Sequence, residues 1–386
     1  MKRVAVVGAS LAGVRAAQEL RAQGYDGGVV LIGEEAHLPY DRPPLSKGFL
    51  AGTTSRAALE LLDAGDLASL ALDFRLGVRA TSLDPAARRV HLSDGSSVHA
   101  DGVVIATGGR ARTLPGFEGA HSLRTIDDAV ALRSALVPGV RVVIVGAGFI
   151  GAEVASTCRS LGLDVVVLEA LSAPLAPVLG SELAAVCARL HAGHGTDLRC
   201  GVAVSGLVAS AGRVTGVRLA DDSVVPADVV VVGVGMTPAT DWLAGSGLTV
   251  GNGVHTDAGL VTDLPQVVAI GDVARYHTDG VGRRHEHWTN ASEQAPVAVG
   301  NLLSGRTERT YVPSGYVWSD QYTGTLQLAG HPRPDDVLTF VEGGPADASF
   351  VATYQRDGET VGVFALNNPK LFNRLRRQAL RRPAAV

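Results

Sequence analysis

A run of glycines between two apolar segments constrains the fold of this chain more than any other feature. Residues 141–151 read RVVIVGAGFIG, an apolar strand followed by an intact GxGxxG turn, and the chain continues into a second apolar run at 165–168 that ends at Glu169. Strand, glycine turn, helix, strand and acid follow the order of a βαβ unit that binds a dinucleotide. In such a unit the pyrophosphate binds at the N-terminus of the helix. The pattern predicts a nucleotide site at Gly146, Gly148, Gly151 and Glu169.

Glu169 also bears on which nicotinamide nucleotide would bind. A carboxylate at the end of the second strand accepts hydrogen bonds from both ribose hydroxyls, whereas it repels a 2′-phosphate. The next residue, Ala170, offers no compensating cation. We therefore expect NADH to be favoured over NADPH.

A similar pattern opens the chain, with one difference. Residues 4–13 read VAVVGASLAG, so Ser10 replaces the middle glycine of the motif. Gly8 would make the turn, and Gly13 would let helix and strand pack closely. A lone GxSxxG is also compatible with an ordinary strand-to-helix turn. However, a second strand ends at Glu34 and Glu35, close to where a βαβ unit binds a ribose hydroxyl, so the context favours a second nucleotide site.

Later segments would complete both nucleotide units. Residues 267–272 read VVAIGD, which places the carboxylate of Asp272 at the carboxyl edge of a sheet, where a polyol such as ribityl could be held. Taken alone, Asp272 could equally be a turn aspartate. Residues 103–109 and 229–235 each combine an apolar strand with glycines. These two segments are interpreted as matching crossovers that leave the first and second nucleotide domains.

The cysteine pattern excludes one kind of redox chemistry. The three cysteines, Cys158, Cys187 and Cys200, form no CxxC or CxxxxC pair, and none follows the first glycine turn. Dithiol exchange is therefore excluded. Cys187 and Cys200 also lack metal-ligand spacing with His191 or His194, so no metal site is expected.

Composition and hydropathy predict a cytoplasmic enzyme. A chain of 386 residues with 46% hydrophobic content and 47 glycines can bury two or three cores. No run of about 18 uninterrupted apolar residues occurs, and the N-terminus enters a strand at once, so neither a membrane span nor a signal peptide is expected. We expect neither a membrane nor a nucleic acid as a partner.

Five short segments carry a resemblance to a known family. They are PYDRPPLSK at 39–47, ATGGRAR at 106–112, GAGFIGAE at 146–153, AIGDVA at 269–274 and HWTNASEQA at 287–295. With these segments the chain resembles the FAD-dependent NADH:ferredoxin reductases of the glutathione-reductase superfamily, the group that includes putidaredoxin reductase, rubredoxin reductase and the reductases of aromatic-ring dioxygenases. The resemblance covers almost the whole length.

The resemblance implies an α/β fold with two Rossmann-like nucleotide-binding domains, one for FAD and one for NADH, and a small α+β C-terminal domain. The implied boundaries are 1–109 and 236–310 for the FAD domain, 110–235 for the NADH domain and 311–386 for a C-terminal interface domain. Within the last region, alternating apolar residues around a glycine turn at 356–359 predict a hairpin. A helix is predicted to begin near Pro369.

The resemblance also implies site residues. FAD contacts are implied for Gly8, Ser10, Leu11, Ala12, Gly13, Glu34, Glu35, Arg42, Lys47, Ala106, Thr107, Gly108, Arg112, Asp272 and Trp288. NADH contacts are implied for Gly146, Gly148, Ile150, Gly151, Glu169 and Gly235. The implied catalytic residues are Lys47 beside the reactive edge of the flavin, Glu153 as its partner, and Trp318 covering the ring.

The physical chemistry of a buried lysine agrees with this placement. A buried ammonium without a counter-charge is unstable, so a nearby carboxylate such as Glu153 is expected. The alternatives are a solvated loop lysine for Lys47 and an ordinary helix-surface carboxylate for Glu153. The Arg-Pro-Pro sequence at 42–44 predicts an extended segment before the lysine.

Without a dithiol, electrons that reach FAD as hydride must leave directly to an external carrier, a quinone or oxygen. The resemblance implies an iron–sulfur ferredoxin, of 2Fe-2S or 3Fe-4S type, that feeds a haem monooxygenase or a ring dioxygenase. The alternatives are an NADH oxidase or quinone reductase with the same flavin site, and a redox-sensitive binding protein.

The charge distribution offers a candidate surface for that carrier. Residues 370–386 carry six basic side chains and no acid, although the net charge of the chain is −4. Together with Arg306 and Arg309, this segment is predicted to attract an acidic ferredoxin. A solvated helix face and chain end would explain any single arginine equally well.

Overall fold

The computed structural model describes residues 1–278 and 280–379. Within these residues the strands are Arg3–Val7 (β1), Gly28–Gly33 (β2), Leu72–Leu76 (β3), Ala80–Asp84 (β4), Arg89–Leu92 (β5), Ser97–His99 (β6), Gly102–Ile105 (β7), Gly109–Ala111 (β8), Arg141–Val145 (β9), Asp164–Glu169 (β10), Asp197–Cys200 (β11), Val204–Ser210 (β12), Arg213–Leu219 (β13), Val224–Pro226 (β14), Val229–Val232 (β15), Met236–Pro238 (β16), Val250–Gly251 (β17), Gly253–Thr256 (β18), Val267–Ala269 (β19), Ala274–Thr278 (β20), Val281–Arg283 (β21), Val317–Gln321 (β22), Gly324–Gly330 (β23), Val337–Glu342 (β24), Phe350–Arg356 (β25) and Glu359–Leu366 (β26). The α-helices of the same residues are Leu11–Ala22 (α1), Gly48–Ala51 (α2), Ala64–Leu70 (α3), Ile126–Ala135 (α4), Phe149–Ser160 (α5), Ala176–Gly193 (α6), Trp288–Glu293 (α7), Ala295–Ser304 (α8) and Pro369–Ala379 (α9).

The chain divides into two compact units. Unit 1 comprises Met1–Asp41, Arg56–Arg110 and Met236–Pro313. It contains a parallel sheet in the order β19-β7-β1-β2-β3. The late strand β19 therefore completes the sheet that β1 begins, which confirms that the segment near residue 268 belongs to the first nucleotide unit.

Both faces of the parallel sheet in unit 1 are apolar, because other elements of the unit pack on each face. Along β1, Val4 and Val6 pack with the inner residues of α1 and α8, whereas Ala5 and Val7 pack on the other side with residues of β4 and β5. A parallel strand that is buried on both faces needs a continuous apolar run. The opening strand of the sequence has that run for this reason.

Unit 2 comprises Arg42–Ser55, Ala111–Gly235 and Ser314–Val386. Its parallel sheet has the order β11-β10-β9-β15. Val142 and Ile144 of β9 pack with α5, and Val143 and Val145 pack with β13 and β14 on the opposite face. This division of β9 between two cores repeats the arrangement of β1 in unit 1.

Unit 2 also contains an antiparallel sheet in the order β22-β23-β26-β25-β24. Strands β25 and β26 form the hairpin that was predicted around residues 356–359, so that prediction is confirmed. Helix α9 begins at Pro369, as expected, and its Leu371 and Phe372 pack on the sheet. The α/β fold class with a C-terminal domain is confirmed, whereas the exact boundaries of the three predicted domains stay a prediction.

The expectation of an extended segment before Lys47 is wrong. Residues Pro43–Ser46 form a 3₁₀ helix with proline in its first turn, and α2 follows directly. The φ angle that proline fixes is also that of a helical first turn, where its missing N–H has no cost. Arg42 has helical backbone angles, φ −88° and ψ −31°, which residues before proline usually avoid.

In the parts of the chain that the structure describes, every helix is too short or too polar to span a lipid bilayer.

Candidate active site

The first glycine turn, in unit 1, is closed by contacts of the backbone with itself. Gly8 has φ +122°, and a Cβ there would lie 2.1 Å from the carbonyl oxygen of Ala106. A Cβ on Gly13 would lie 1.8 Å from the carbonyl oxygen of Gly8. The amide of Gly8 donates to Ile32 O at 2.8 Å. Glycine is therefore required at both positions by the fold itself.

The second glycine turn, in unit 2, repeats this construction. Gly146 has φ +102°, and a Cβ there would lie 2.5 Å from the carbonyl oxygen of Gly233. A Cβ on Gly151 would lie 2.0 Å from the carbonyl oxygen of Gly146. The amide of Gly146 donates to Leu168 O at 2.8 Å. In both turns, the same close backbone contacts thus join the strand to the helix that follows it.

The middle positions of the two turns differ from the outer positions, because the fold does not require glycine there. Gly148 has φ −71° and ψ −178°, which any residue adopts, and a Cβ there would meet no atom within 4 Å. The fold gives no reason for a glycine at this position, so its missing side chain keeps space for a group that approaches the backbone closely. The first-turn amides of α5, which have no intrahelical acceptor, provide donors for a pyrophosphate there.

In the first turn the corresponding residue is Ser10, with φ −125° and ψ −165°. Leu11 and Ala12 follow it as the first residues of α1, and both are 7% exposed. Their amides lie in the first helical turn and are available to an anion. The residues at both turns therefore fit a dinucleotide.

The acids that follow the two turns have different surroundings. Glu169 is 9% exposed, and its carboxylate accepts from the amides of Ala147 at 2.7 Å and Leu171 at 2.8 Å. These two bonds orient the carboxylate at the glycine turn, and each oxygen keeps acceptor capacity for a ribose hydroxyl.

Glu34 and Glu35 lie in a more polar region. The Glu34 carboxylate is exposed and lies 3.6 Å from the guanidinium of Arg110 and 3.9 Å from that of Arg79. Glu35 accepts a hydrogen bond from the hydroxyl of Tyr40. Arg110 was not predicted as a site residue, although the ATGGRAR segment contains it.

The later predicted residues of unit 1 lie near the carboxyl end of its sheet. Asp272 lies in a 3₁₀ turn directly after β19, where the buried Gln294 accepts from the Gly271 amide at 2.6 Å. The Thr107 hydroxyl donates to Ala239 O at 2.8 Å. The indole of Trp288 donates to Asp41 Oδ1 at 2.8 Å.

Five further residues, two of them glycines, complete the sets that the sequence implied. Gly108 has φ +60° and Gly235 has φ +95°, both in the left-handed region that favours glycine. The amide of Arg112 donates to Gly235 O at 3.0 Å, and Ile150 is 47% exposed at the start of α5. Arg42 donates from Nη1 to Arg124 O at 2.5 Å.

An ion pair between Lys47 and Glu153 lies inside unit 2. Lys47 Nζ is 2.7 Å from Glu153 Oε2 and also donates to Pro43 O at 3.1 Å. Glu153 is 3% exposed, so it is not an ordinary helix-surface carboxylate. The 3₁₀ helix before Lys47 and the glycine turn before Glu153 fix the two ends of this pair.

Two serines also bind the Glu153 carboxylate, and the sequence analysis did not identify them. Ser46 Oγ donates to Oε2 at 2.5 Å, and Ser319 Oγ donates to Oε1 at 2.7 Å. Ser319 and Gln321 occupy inward positions of the alternating strand β22 and are fully buried, which the structure reveals and the sequence pattern does not. Buried polar residues at core positions of a strand require partners.

Trp318 lies next to Ser319 and points to the other side of β22. Its ring stacks on that of Tyr316, with centroids 5.9 Å apart and an angle of 19° between the planes. The guanidinium of Arg376 in α9 lies 4.5 Å from the centre of the Tyr316 ring. The roles predicted for Lys47, Glu153 and Trp318 beside a flavin stay predictions.

The cysteines are unsuited to thiol chemistry. All three are free. Burial raises the pKa of Cys158 and of Cys187 to about 12, and it raises the pKa of Cys200 as well. Reactive cysteines have the opposite shift, because the thiolate is the nucleophile. The chain thus combines two glycine turns that fit a dinucleotide with three unreactive thiols. This combination is typical of an oxidoreductase that uses two nucleotides and no redox dithiol.

Comparison with known proteins places the chain within that class. Residues 2–295 match the family model described as pyridine nucleotide-disulphide oxidoreductase, and residues 316–385 match the model described as reductase C-terminal. The chain is 37% identical to a protein named "Probable ferredoxin reductase" from Castellaniella defragrans, with 99% of this chain and 94% of that protein covered.

Two other relatives agree. The chain is 37% identical to the ferredoxin–NAD(+) reductase component of the anthranilate 1,2-dioxygenase system of Burkholderia cepacia, over 94% of this chain and 90% of that protein. Among solved structures, the covalent putidaredoxin reductase–putidaredoxin complex matches with a TM-score of 0.92 and 33% identity, over 97% of this chain and 92% of that chain.

The chain therefore belongs to the pyridine nucleotide-disulphide oxidoreductase family and, within it, to the FAD-dependent ferredoxin reductases. The resemblance stated from the five sequence segments is confirmed, as are the enzyme class and the cofactors FAD and NAD(H).

Proposed function

We propose that this enzyme passes electrons from NADH through FAD, one at a time, to an iron–sulfur ferredoxin of 2Fe-2S or 3Fe-4S type. The ferredoxin feeds an oxygenase, either a haem monooxygenase or a ring dioxygenase. FAD, when bound, accepts a hydride and releases single electrons. The observation that carries the proposal is the ion pair of the partly exposed Lys47 with the buried Glu153, in a chain whose three cysteines are free and form no dithiol.

The proposed role of Lys47 is electrostatic. Its ammonium would face the reactive edge of a bound flavin and stabilise negative charge on the reduced ring. Glu153 would hold this ammonium in place, and Trp318 would lie beside the ring. An arginine would be a poor substitute because its guanidinium is larger and planar, whereas an ammonium is a compact point charge. The chain has 34 basic residues, and only Lys2, Lys47 and Lys370 are lysines.

The two glycine turns divide the nucleotides between them. FAD is held in this proposal by the turn at Gly8 to Gly13, by Glu34 and Glu35, by the segments at 106–112 and 271–272, and by Arg42 and Trp288. NADH is held by Gly146, Gly148, Ile150, Gly151, Glu169 and Gly235. The two amides that orient Glu169 support a preference for NADH, because a fixed carboxylate repels a 2′-phosphate.

Helix α9 is the proposed contact for the ferredoxin. Within the described residues it carries Lys370, Arg374, Arg376 and Arg377 and no acidic side chain, while Arg381 and Arg382 lie outside the described residues. Arg306 is paired with Glu308 at 2.8 Å, which weakens its expected contribution. Neutralising the α9 cluster should reduce the salt dependence of ferredoxin reduction. An unaltered salt profile would reject this contact.

The enzyme is proposed to work in the cytoplasm. Its three cysteines are free, which suits a reducing compartment, and NADH supplies its electrons there.

Anaerobic stopped-flow absorbance tests the function. The purified protein is mixed with NADH, and the reduced protein is then mixed with 2Fe-2S ferredoxins, 3Fe-4S ferredoxins, a quinone or oxygen. We expect loss of the flavin band with NADH and rapid recovery with a ferredoxin. Recovery with oxygen or a quinone alone would favour an NADH oxidase or quinone reductase. A colourless protein that does not bind FAD would favour a binding protein.

A further inference from the structure

The carboxylate of Glu153 is bound by more donors than its ion pair with Lys47 requires. Its Oε2 accepts from Lys47 at 2.7 Å and from Ser46 at 2.5 Å, and its Oε1 accepts from Ser319 at 2.7 Å. Ser46, Glu153 and Ser319 are 2%, 3% and 0% exposed. Each carboxylate oxygen therefore has a hydrogen-bond donor from an almost fully buried serine.

The hydroxyl of Ser319 has a fixed direction. Gln321 Nε2 donates to Ser319 Oγ at 3.2 Å, and Gln321 is fully buried on the same side of β22. A side-chain amide nitrogen only donates, so the serine oxygen is the acceptor in this bond. The single proton of the Ser319 hydroxyl is then left for Glu153, because an ionised carboxylate only accepts.

This arrangement affects Lys47 through Glu153. Because Ser319 occupies Oε1, the carboxylate is held with Oε2 toward the ammonium. Lys47 has three donors, of which one binds Oε2 and one binds Pro43 O at 3.1 Å. These two hydrogen bonds fix the direction of the third N–H group of the ammonium. A change at Oε1 would therefore alter the orientation of both the carboxylate and the ammonium.

We propose that Ser319, oriented by Gln321, is a positioning residue for Lys47. By donating to Oε1 it holds the buried carboxylate in one orientation and thereby fixes the position and direction of the lysine ammonium. The effect on Lys47 stands on the contacts above, and its consequence for the flavin rests on the proposed function.

The competing explanation is that Ser319 only fills space in the antiparallel sheet. A serine with that role would change stability when replaced, without changing the chemistry of Lys47. Thr353 provides a matched control, because it is a buried hydroxyl residue in β25 of the same sheet and has no contact with Glu153 among those described. Thr353→Val removes its hydroxyl and preserves the shape of the side chain.

The first experiment measures acylation of the purified holoenzyme by acetic anhydride, followed by mass spectrometry of the lysine peptides. Lys2 and Lys370 are exposed and serve as internal references. We expect Ser319→Ala to raise the reactivity of Lys47 relative to the references roughly tenfold, the size of one lost hydrogen bond to a charged group. Ser319→Thr should restore it, and Thr353→Val should leave it unchanged. Equal Lys47 reactivity in Ser319→Ala and the wild type would overturn the proposal.

The second experiment is a double-mutant cycle with Glu153→Gln, which removes the charge on which Ser319 acts. In the wild-type background, Ser319→Ala should slow flavin reduction by NADH roughly tenfold and lower the flavin midpoint potential. In the Glu153→Gln background it should have no further effect on either quantity. Equal effects in both backgrounds would assign Ser319 a structural role and overturn the proposal.

Gln321→Met keeps the test decisive if Ser319→Ala folds poorly. This substitution leaves Ser319 in place and removes the hydrogen bond that orients its hydroxyl. We therefore expect a smaller increase in Lys47 reactivity and a smaller decrease in the rate of flavin reduction than in Ser319→Ala. No change in Lys47 reactivity in this variant would contradict the orienting role of Gln321. A wild-type protein that NADH reduces but no ferredoxin reoxidises would refute the proposed function alone, since the lysine measurements do not depend on the acceptor.

Discussion

The two glycine turns are built alike where the chain contacts itself and differ where a nucleotide would be held. In both turns the first and last glycines meet backbone oxygens that a Cβ would strike, and the first amide donates to the neighbouring strand at 2.8 Å. The middle residue is Ser10 in one turn and Gly148 in the other. The shared part is required by folding, whereas the fold leaves the middle position free to vary, and we expect the ligand to select the residue there.

The similarity extends to the start of each sheet. Asp101, just before β7, accepts from the amides of Lys2 and Arg3 at 2.7 and 3.1 Å, and Asp228, just before β15, accepts from the amide of Arg141 at 2.9 Å. Each aspartate thus holds the first residues of the central strand of its own sheet. Neither aspartate is predictable from sequence, because a single aspartate before a strand is also common in turns.

The largest expected effect comes from the last glycine of each turn. Gly151→Ala should weaken NADH binding by roughly 100-fold or more while FAD stays bound, because the new Cβ would displace backbone at a cost of about 3 kcal/mol. Gly13→Ala should instead release FAD. Flavin absorbance after desalting and the rate of flavin reduction against NADH concentration measure the two effects. Loss of FAD from Gly151→Ala would show that the turns do not act separately.

The middle position gives a smaller effect that separates ligand from fold. Gly148→Ser copies the first turn, and its Cβ would meet no protein atom within 4 Å, so the melting temperature of the protein should not change. NADH binding should weaken about tenfold, since the side chain occupies the space of the pyrophosphate. The reciprocal change, Ser10→Gly, is the matched control and should leave FAD affinity within a few-fold. A lower melting temperature for Gly148→Ser would mean that the glycine serves the fold.

The acids after the two turns sharpen the comparison further. Glu169→Gln removes the charge that opposes a 2′-phosphate, so the ratio of NADPH to NADH activity should rise about fivefold to tenfold. Glu34→Gln, in the exposed and arginine-rich setting of the first turn, should change that ratio negligibly. Steady-state kcat/KM with both nucleotides is the measurement. An unchanged ratio in Glu169→Gln would remove the carboxylate from nucleotide selection.

The smallest effect concerns stability and pH. The Arg141 guanidinium and amide lower the pKa of Asp228 to about 2 from 3.8, and the amides of Lys2 and Arg3 lower the pKa of Asp101. A carboxyl group whose pKa is lower in the folded state than in the unfolded state stabilises the fold at any pH above its unfolded pKa. This stabilisation is lost as the pH falls from about 4 toward 2. Asp228→Asn should cost under about 1 kcal/mol at pH 7, because the pair is solvent-exposed. Urea unfolding should show that Asp228→Asn lowers the free energy of unfolding by less at pH 3 than at pH 7. An equal loss at pH 3 and pH 7 would show that the pKa of Asp228 does not contribute to stability.

The fold was predictable because its signals are local. An apolar strand, a glycine turn and an acid within 30 residues or so define a βαβ unit from sequence alone. Helix α9 and the β25–β26 hairpin were equally local. The 3₁₀ helix at Pro43–Ser46 was not predicted, since proline suits both an extended segment and a helical first turn.

The site was predictable only in part, because its contacts join distant residues. Lys47 and Glu153 were expected as a pair from the family resemblance. The hydrogen bond from Ser319 to Glu153 was not expected, because it joins residues 166 positions apart in the sequence. No periodicity in the sequence indicates that Ser319 and Gln321 face α5. The arginines beside Glu34 were missed for the same reason.

The division of the two nucleotides between the turns can be tested with a crystal structure of the enzyme with FAD and NAD⁺ bound. We expect the FAD pyrophosphate within about 3 Å of the amides that follow Ser10, and the NAD⁺ pyrophosphate at the amides that follow Gly148, with Glu169 on its ribose. Exchange of the two nucleotides between the turns, or one turn that stays empty with both ligands in excess, would contradict this division.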